Sequence, residues 1–449
     1  MNKISTILFR NQLKSLDPLP TTLVCDSLDV LLPVITKIVN TSLATSYFPT
    51  EWKQAIVNPL LKKGADDVTH KNLRPISNLQ FVSKITERAV FGQVYSHMTD
   101  NKLFPVLQSA YRQGHSTETA LLRVINDIFS STNKQHVSIH VLLDVGVAFN
   151  TVDHAILLRR LKTSFSIMEA ALAWFSSYLF GRGQCRSVNG ETSDCYPLPF
   201  GVPQGSCLRP LLFSAYARKL FKLCLPNAHA FADDTQLYLS FNPDHSLNEE
   251  EALHSMEQCI RAIRAWMQVG KLKLNENKTE VMFIGTRQQL SKVKLRMLTV
   301  GDTSVAIVNE ARNLGLWFDS QVNFNAHIIK TCSLSFCSLY KIRRIRKYLS
   351  YKSAQTLILA LVIGLLEYCN SLLYSLPASY IIMLQRVQNA ATRLISKTTR
   401  FDHISPVMKD LHWLPVKYRI MVVYTLKALH GNAPTYIHFT VEWHKCFQA

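Results

Sequence analysis

The chain has 449 residues, enough for more than one lobe around a sizeable core. Its 50 Lys and Arg outweigh 31 Asp and Glu, a net charge of +19, so the expected partner is a polyanion, with nucleic acid ahead of a membrane surface. With 47% hydrophobic and 18% charged residues, the composition excludes general disorder.

Taken in chain order, Leu28, Leu31, Leu32, Ile35 and Ile38 recur at the spacing of one helix face. A polar, basic loop runs from Lys62 to Lys71. Val137, Ile139, Val141 and Leu143 alternate as in a half-buried strand and lead into Asp144. Trp174, Phe175 and Tyr178 lie beside Leu172 and Leu179 at helical spacing, which predicts core packing rather than base stacking. Phe231-Ala232-Asp233-Asp234 reads as the tip of a hairpin whose return arm carries Leu237 and Leu239. From about Ala326 helical spacing takes over, including Leu384, Val387, Ala391, Leu394 and Ile395. The apolar run Leu357 to Leu366 stops at Glu367, short of the ~18 residues a membrane span needs, and predicts a buried helix. The ten cysteines are scattered with no CxxC pair, and no signal-peptide pattern opens the chain. They predict free thiols in a reduced, intracellular protein without a disulfide framework, a disulfide-linked partner or a zinc cluster.

The chemistry concentrates in the acids. A lone Asp-Asp in a turn is ordinary. Carboxylates at the ends of neighbouring strands, however, can share two divalent cations that activate an attacking oxygen and stabilise a leaving one in phosphoryl transfer. Such hard oxygen ligands select magnesium, with manganese as an alternative. Between the acids lies Gly201-Val-Pro-Gln-Gly-Ser206, whose glycines and proline let backbone approach something bulky.

Leu142-Leu-Asp144-Val-Gly-Val-Ala148-Phe149, Gly201-Val-Pro-Gln-Gly-Ser206 and Phe231-Ala-Asp-Asp234, in this order, resemble the motifs of reverse transcriptases. The flanking blocks Asn72-Leu-Arg-Pro-Ile-Ser77, Gln108-Ser-Ala-Tyr-Arg112, His115-Ser-Thr117, Thr151-Val-Asp-His154 and Asn313-Leu-Gly315 sharpen the resemblance to the non-LTR (LINE-type) retrotransposon enzymes. Glu367-Tyr-Cys-Asn370 and Leu411-His-Trp-Leu-Pro415 extend it, so that it spans roughly residues 45 to 436.

The resemblance implies an α+β right-hand polymerase fold with an antiparallel palm sheet. It divides the chain into an N-terminal helical extension (1–44), fingers and palm (45–320), a helical thumb (325–436) and a C-terminal tail (437–449). It implies an RNA-directed DNA polymerase working on an RNA template, a DNA primer and dNTPs with two Mg2+ ions and no membrane. Asp144, Asp233 and Asp234 then resemble the metal ligands, helped by the Val145 carbonyl. Phe149 resembles the steric gate against a ribose 2′-hydroxyl, and Gln204 with Gly205 the loop that positions template and nucleotide. Lys62, Lys63 and Arg74 would hold the triphosphate, the lysines having a solvated basic loop as their alternative. Lys278 is similar to the residue proposed to protonate departing pyrophosphate. Asn313, Leu314 and Gly315 resemble the primer grip. In Lys341 to Leu349, Ile342, Ile345 and Leu349 fall on one helix face and Arg343, Arg346 and Lys347 on another, a stripe that would track duplex phosphates or else be a solvated face.

Three positions depart from the pattern. Asn150 follows the gate where most such elements carry Asp, Glu367 replaces an Asp, and Arg209 stands where Gly is usual, predicting a clash or a strained turn. No nuclease block precedes the polymerase blocks, so a truncated element copy is expected. The alternative function is a remnant that binds nucleic acid without polymerising. The compartment, nucleus or cytoplasm, stays open.

Overall fold

The structure, a computed structural model, describes residues 16–17, 21–61, 69, 72–146, 148–188, 191–223, 227–301, 303–374, 376–420 and 422. Lys62, Lys63 and the tail 437–449 lie outside the described residues. The chain forms two compact units and passes between them several times. One holds residues 1–108, 145–224 and 262–275, the other 109–144, 225–261 and 276–449.

In the first unit a five-stranded sheet is built around Gln54–Leu61. This strand pairs antiparallel with Leu73–Asn78 and parallel with Gly183–Val188, which carries Glu191–Thr192 and Tyr196–Pro197. Helices Leu28–Ala44, Phe81–Asp100, His154–Phe165, Glu169–Leu179 and Arg209–Ala217 belong to the same unit. The first of these is the predicted helix with a rotated face: Ile35 and Val39 are buried against Ile85, whereas Ile38 is exposed. Trp174, Phe175 and Tyr178 are core, as their spacing predicts.

The thiols are not all free. Antiparallel pairing sets Gln184 opposite Tyr196, which brings Cys185 beside Cys195, and these two are joined by a disulfide with a Cα–Cα distance of 4.4 Å. They stand ten positions apart in sequence, so only the strand pairing reveals the partnership. Among the described cysteines, Cys25, Cys207, Cys259, Cys332, Cys337 and Cys369 take no part in a disulfide.

In the second unit the antiparallel sheet runs Glu280–Ile284, Val137–Gly146, Asp234–Phe241, Asn227–Phe231. Val137, Ile139, Val141 and Leu143 are all buried, the alternation read from sequence. Helix Thr117–Asn133 begins at a capping box in which Ser116 and Thr119 satisfy each other's backbone N–H. It buries Leu121, Val124, Ile125 and Ile128 at helical spacing. These residues join a core continuous with the helices Asn325–Ile345, Tyr351–Ile358 and Ala378–Ser396. The apolar run Leu357 to Leu366 is helical and buries Ile358, Val362, Ile363 and Leu366. No helix among the described residues is long and apolar enough to cross a membrane.

Candidate active site

The strand that buries Val137, Ile139, Val141 and Leu143 arrives at Asp144, where register sets Asp144 across from Asp234. Asp233 occupies the two-residue turn between the paired Phe231 and Asp234. Its neighbour Ala232 takes φ 62°, the left-handed conformation so tight a turn demands. Desolvation, then the charges of Asp233 and Asp144, push the Asp234 carboxyl up to about 6, against the pull of Lys278. Asp234 is exposed at the mouth of the site, which tempers the desolvation and leaves the neighbouring carboxylates as the durable cause. Lys278 Nζ donates to Asp144 Oδ2 at 3.1 Å. Asp144, Asp234 and Lys278 line a cleft of about 240 Å3 together with Arg312, Asn313, Leu314 and Gly315. A larger cavity of about 330 Å3 beside Val34, Ile38 and Trp52 is apolar and has no converging acids.

Crowded carboxylates offering oxygen donors are the donor set a hard divalent cation suits. Among the described residues, no three or more His, Cys, Asp or Glu side chains form a ready-made metal cage. Magnesium is compatible with that arrangement, because it takes few protein carboxylates and completes its shell with water and substrate phosphates.

Beside the acids, Glu310–Asn313 and Leu316–Asp319 form a hairpin whose turn residues Leu314 and Gly315 have φ 45° and 87°. Asn313 was expected to face nucleic acid. Its side chain is instead buried, with Nδ2 donating to Gln236 Oε1 at 2.6 Å, so it ties the hairpin to the sheet. The turn is held from outside by Tyr368, whose hydroxyl donates to the Leu314 carbonyl and lies 3.2 Å from Thr117 Oγ1. A Cβ at Gly315 would stand 3.1 Å from that hydroxyl. Tyr368 and Thr117 stand 251 positions apart in separate sequence blocks, with no local sign that they meet.

In the first unit, Phe149 packs against Phe213 with ring centroids 4.4 Å apart, and its carbonyl accepts from Val202 N at 3.2 Å. His154 Nε2 lies 2.8 Å from the Gly201 carbonyl, while Asp153 caps the helix His154–Phe165 through Ile156 N. These bonds account for the block Thr151 to His154 as a brace for the glycine loop. Ser77 N donates to the Gln204 carbonyl at 2.8 Å, tying that loop to the strand Leu73–Asn78 on which Arg74 is exposed. Gly205 has φ 149°, and a Cβ there would sit 2.3 Å from the Ser77 carbonyl oxygen. Gly205→Ala is therefore expected to destabilise the fold by at least ~2 kcal/mol, which a denaturant midpoint checks.

Arg209 does not sit in a strained turn. Position 209 opens the helix Arg209–Ala217, followed by Pro210 in the first turn, and helical backbone asks for no glycine. The guanidinium lies over the Phe149 ring at 4.7 Å and Nη2 donates to Asn150 Oδ1 at 3.1 Å.

The basic stripe divides. Arg343 and Lys347 are exposed, but Arg346 is buried. Its guanidinium donates to the carbonyls of Leu394 at 2.8 Å, Ile395 at 2.8 Å and Leu349 at 2.9 Å. The first two belong to the last turn of helix Ala378–Ser396, where carbonyls lack intrahelical partners. The helical face read from sequence breaks down because the α-helix ends at Ile345 and residues 346–348 tighten into a 3-10 turn. Ile345, expected inside, is exposed.

A family model described as reverse transcriptase (RNA-dependent DNA polymerase) matches residues 60–318, more than half of the chain. The chain belongs to the reverse transcriptase family. It is 29% identical to a probable RNA-directed DNA polymerase from transposon BS of Drosophila melanogaster over 345 residues, 74% of this chain and 37% of that protein. The probable RNA-directed DNA polymerase from transposon X-element of the same fly is 25% identical over 84% of this chain and 41% of its own length. A Pol polyprotein from the type-1 retrotransposable element R1 of Bradysia coprophila is 24% identical over 83% of this chain and 37% of its own. The chain thus spans about two fifths of the length of these curated relatives, and the resemblance to non-LTR enzymes is matched by the elements they come from. Among solved structures, apo telomerase from Candida tropicalis covers 82% of this chain and 63% of its own, with TM-score 0.43 and 12% identity. A likeness that slight carries no argument.

Two braces of these reverse transcriptase motifs have no clear signal in sequence. Ser109 N donates to the Ala230 carbonyl at 3.0 Å, and Ser109 Oγ lies 2.8 Å from His229 Nε2. Burial first, then nearby arginines, lower His229 to about 4, so the ring is neutral at pH 7 and steadies the acid-bearing hairpin by hydrogen bonding. Behind the glycine loop, the fully buried Glu87 accepts from Cys207 N at 2.7 Å and from the Tyr178 hydroxyl at 3.3 Å. The same hydroxyl lies 2.7 Å from Ser206 Oγ. Burial pushes the Glu87 carboxyl up, with Arg182 pulling it down.

Proposed function

We propose that this chain is an RNA-directed DNA polymerase that extends a primer 3′-hydroxyl with dNTPs on an RNA template. The observation that carries the reading is the antiparallel register that sets Asp144 against Asp234, with Asp233 in the adjoining turn and Lys278 bonded to Asp144. Asp144, Asp233 and Asp234, with the Val145 carbonyl, would hold two Mg2+ ions. When bound, such ions supply activation of the attacking hydroxyl and stabilisation of the leaving oxygen. Lys278 places an ammonium at the acids, where it neutralises Asp144 in the free protein and donates a proton to departing pyrophosphate in the reaction. Phe149 crowds a ribose 2′-hydroxyl, Gln204 and Gly205 shape the nucleotide seat, and Arg74 with Lys62 and Lys63 receives the triphosphate. The turn Leu314-Gly315 steers the primer end, with Asn313 anchoring it from behind. Arg343 and Lys347 meet duplex phosphates. On this reading residues 45–320 supply fingers and palm and 325–436 the thumb, and the protein works inside the cell with its RNA.

Primer extension on a homopolymer RNA template with Mg2+ tests the proposal. Templated dNTP incorporation that stops on chelation is the expected result. Tight primer-template binding without incorporation would select the alternative, a nucleic-acid-binding remnant.

A further inference from the structure

Arg209 and Asn150, the two departures from the family pattern nearest the gate, touch each other. The Asn150 side-chain carbonyl accepts from Arg209 Nη2 at 3.1 Å, and the same guanidinium covers the Phe149 ring at 4.7 Å. On another side the ring meets Phe213, with centroids 4.4 Å apart. The backbone is held as closely. Val202 N donates to the Phe149 carbonyl at 3.2 Å, and Gly201, at φ 78°, leaves room for Asn150, whose carbonyl oxygen a Cβ there would meet at 2.7 Å.

A guanidinium over an aromatic face is attracted by the ring's negative quadrupole, and a flat cation is well shaped to cover it. One hydrogen bond then fixes the cation's rotation about its own stem. The Phe149 ring therefore has a fixed partner on one face, Phe213 near it, and a backbone that cannot shift without breaking the Val202 bond.

We propose that Arg209 and Asn150 form a clasp that sets the position of the Phe149 ring and thereby the preference of this enzyme for deoxyribose over ribose. The inference rests on the polymerase reading above and deepens it: Arg209 and Asn150 are positioning residues, and Phe149 is the group that meets the sugar. Discrimination against one hydroxyl by a hydrocarbon wall depends on where the wall stands, because a ring free to swing aside admits the larger sugar.

The test is single-nucleotide incorporation by the full chain on a primer paired to RNA, comparing kcat/KM for a dNTP and its matching rNTP. Arg209→Gly and Asn150→Ala are expected to lower the dNTP-to-rNTP ratio roughly tenfold, the loss of about one charge-assisted contact, with primer-template affinity unchanged. Asn150→Asp should keep the ratio, since a carboxylate accepts the same bond. An unchanged ratio in both disrupting variants overturns the proposal. Equal losses for the two sugars also overturn it and place Arg209 on the triphosphate. A wild-type chain that incorporates nothing sinks the polymerase reading and the sugar choice with it. Hydrogen exchange at the Asn150 and Val202 amides reads the clasp without activity: faster exchange in Arg209→Gly supports it, and equal rates refute it.

Discussion

Asp233→Asn is expected to abolish nucleotide incorporation, by at least ~10^3-fold, while leaving primer-template affinity nearly intact. A shared cation contributes several kcal/mol of charge stabilisation at the transition state, and each ~1.4 kcal/mol is tenfold in rate. Affinity for the nucleic acid comes mainly from Lys and Arg on phosphates, which the substitution does not touch. The fold should survive, because Asp233 sits in a turn that Asn suits and because removing one carboxylate relieves the repulsion that raises Asp234. Rapid-quench incorporation, filter binding and a thermal melt measure the three quantities. A variant that melts as wild type and still incorporates at more than a hundredth of the wild-type rate would remove Asp233 from the site.

The basic stripe supplies the second large effect, and it splits by residue. Arg346→Ala should destabilise the helical part of the second unit by about 3 kcal/mol, because it removes a buried cation bonded to three carbonyls and leaves helix-end acceptors unpaired. Arg343→Ala with Lys347→Ala should leave stability within about 0.5 kcal/mol, since both side chains are exposed. The pair should instead lower duplex affinity and shrink the log-log salt slope by about 1.8, or 0.9 for each lost phosphate contact. Urea denaturation and a salt titration of binding separate the two behaviours. If Arg346→Ala unfolds like wild type, the capping role is wrong; if the double variant keeps the wild-type slope, Arg343 and Lys347 belong to a solvated face.

Much of this protein is legible in its sequence because certain signals are local. Period-two alternation placed the strand that carries Asp144, and the paired acids between two apolar runs marked a hairpin. Helical spacing sent Trp174, Phe175 and Tyr178 to the core. Such patterns need only the chain's own geometry and the preference of apolar side chains for the interior. Tertiary structure decided everything that depends on what a residue meets. Arg346 looks like any exposed arginine on a helical wheel until the helix stops one residue earlier and a neighbouring helix end, 48 residues on, needs donors. Asn313 reads as part of a nucleic-acid-binding block until Gln236 lies across from its side chain. Cys185 and Cys195 look like free thiols until two short strands pair. Arg209 alone predicts damage, and becomes intelligible only beside Asn150 and Phe149, 59 and 60 positions away. For Arg346 and Asn313 the deciding free energy belongs to a polar group that burial would leave unpaired. Its partner is set by how the chain packs, which no window of neighbouring residues contains.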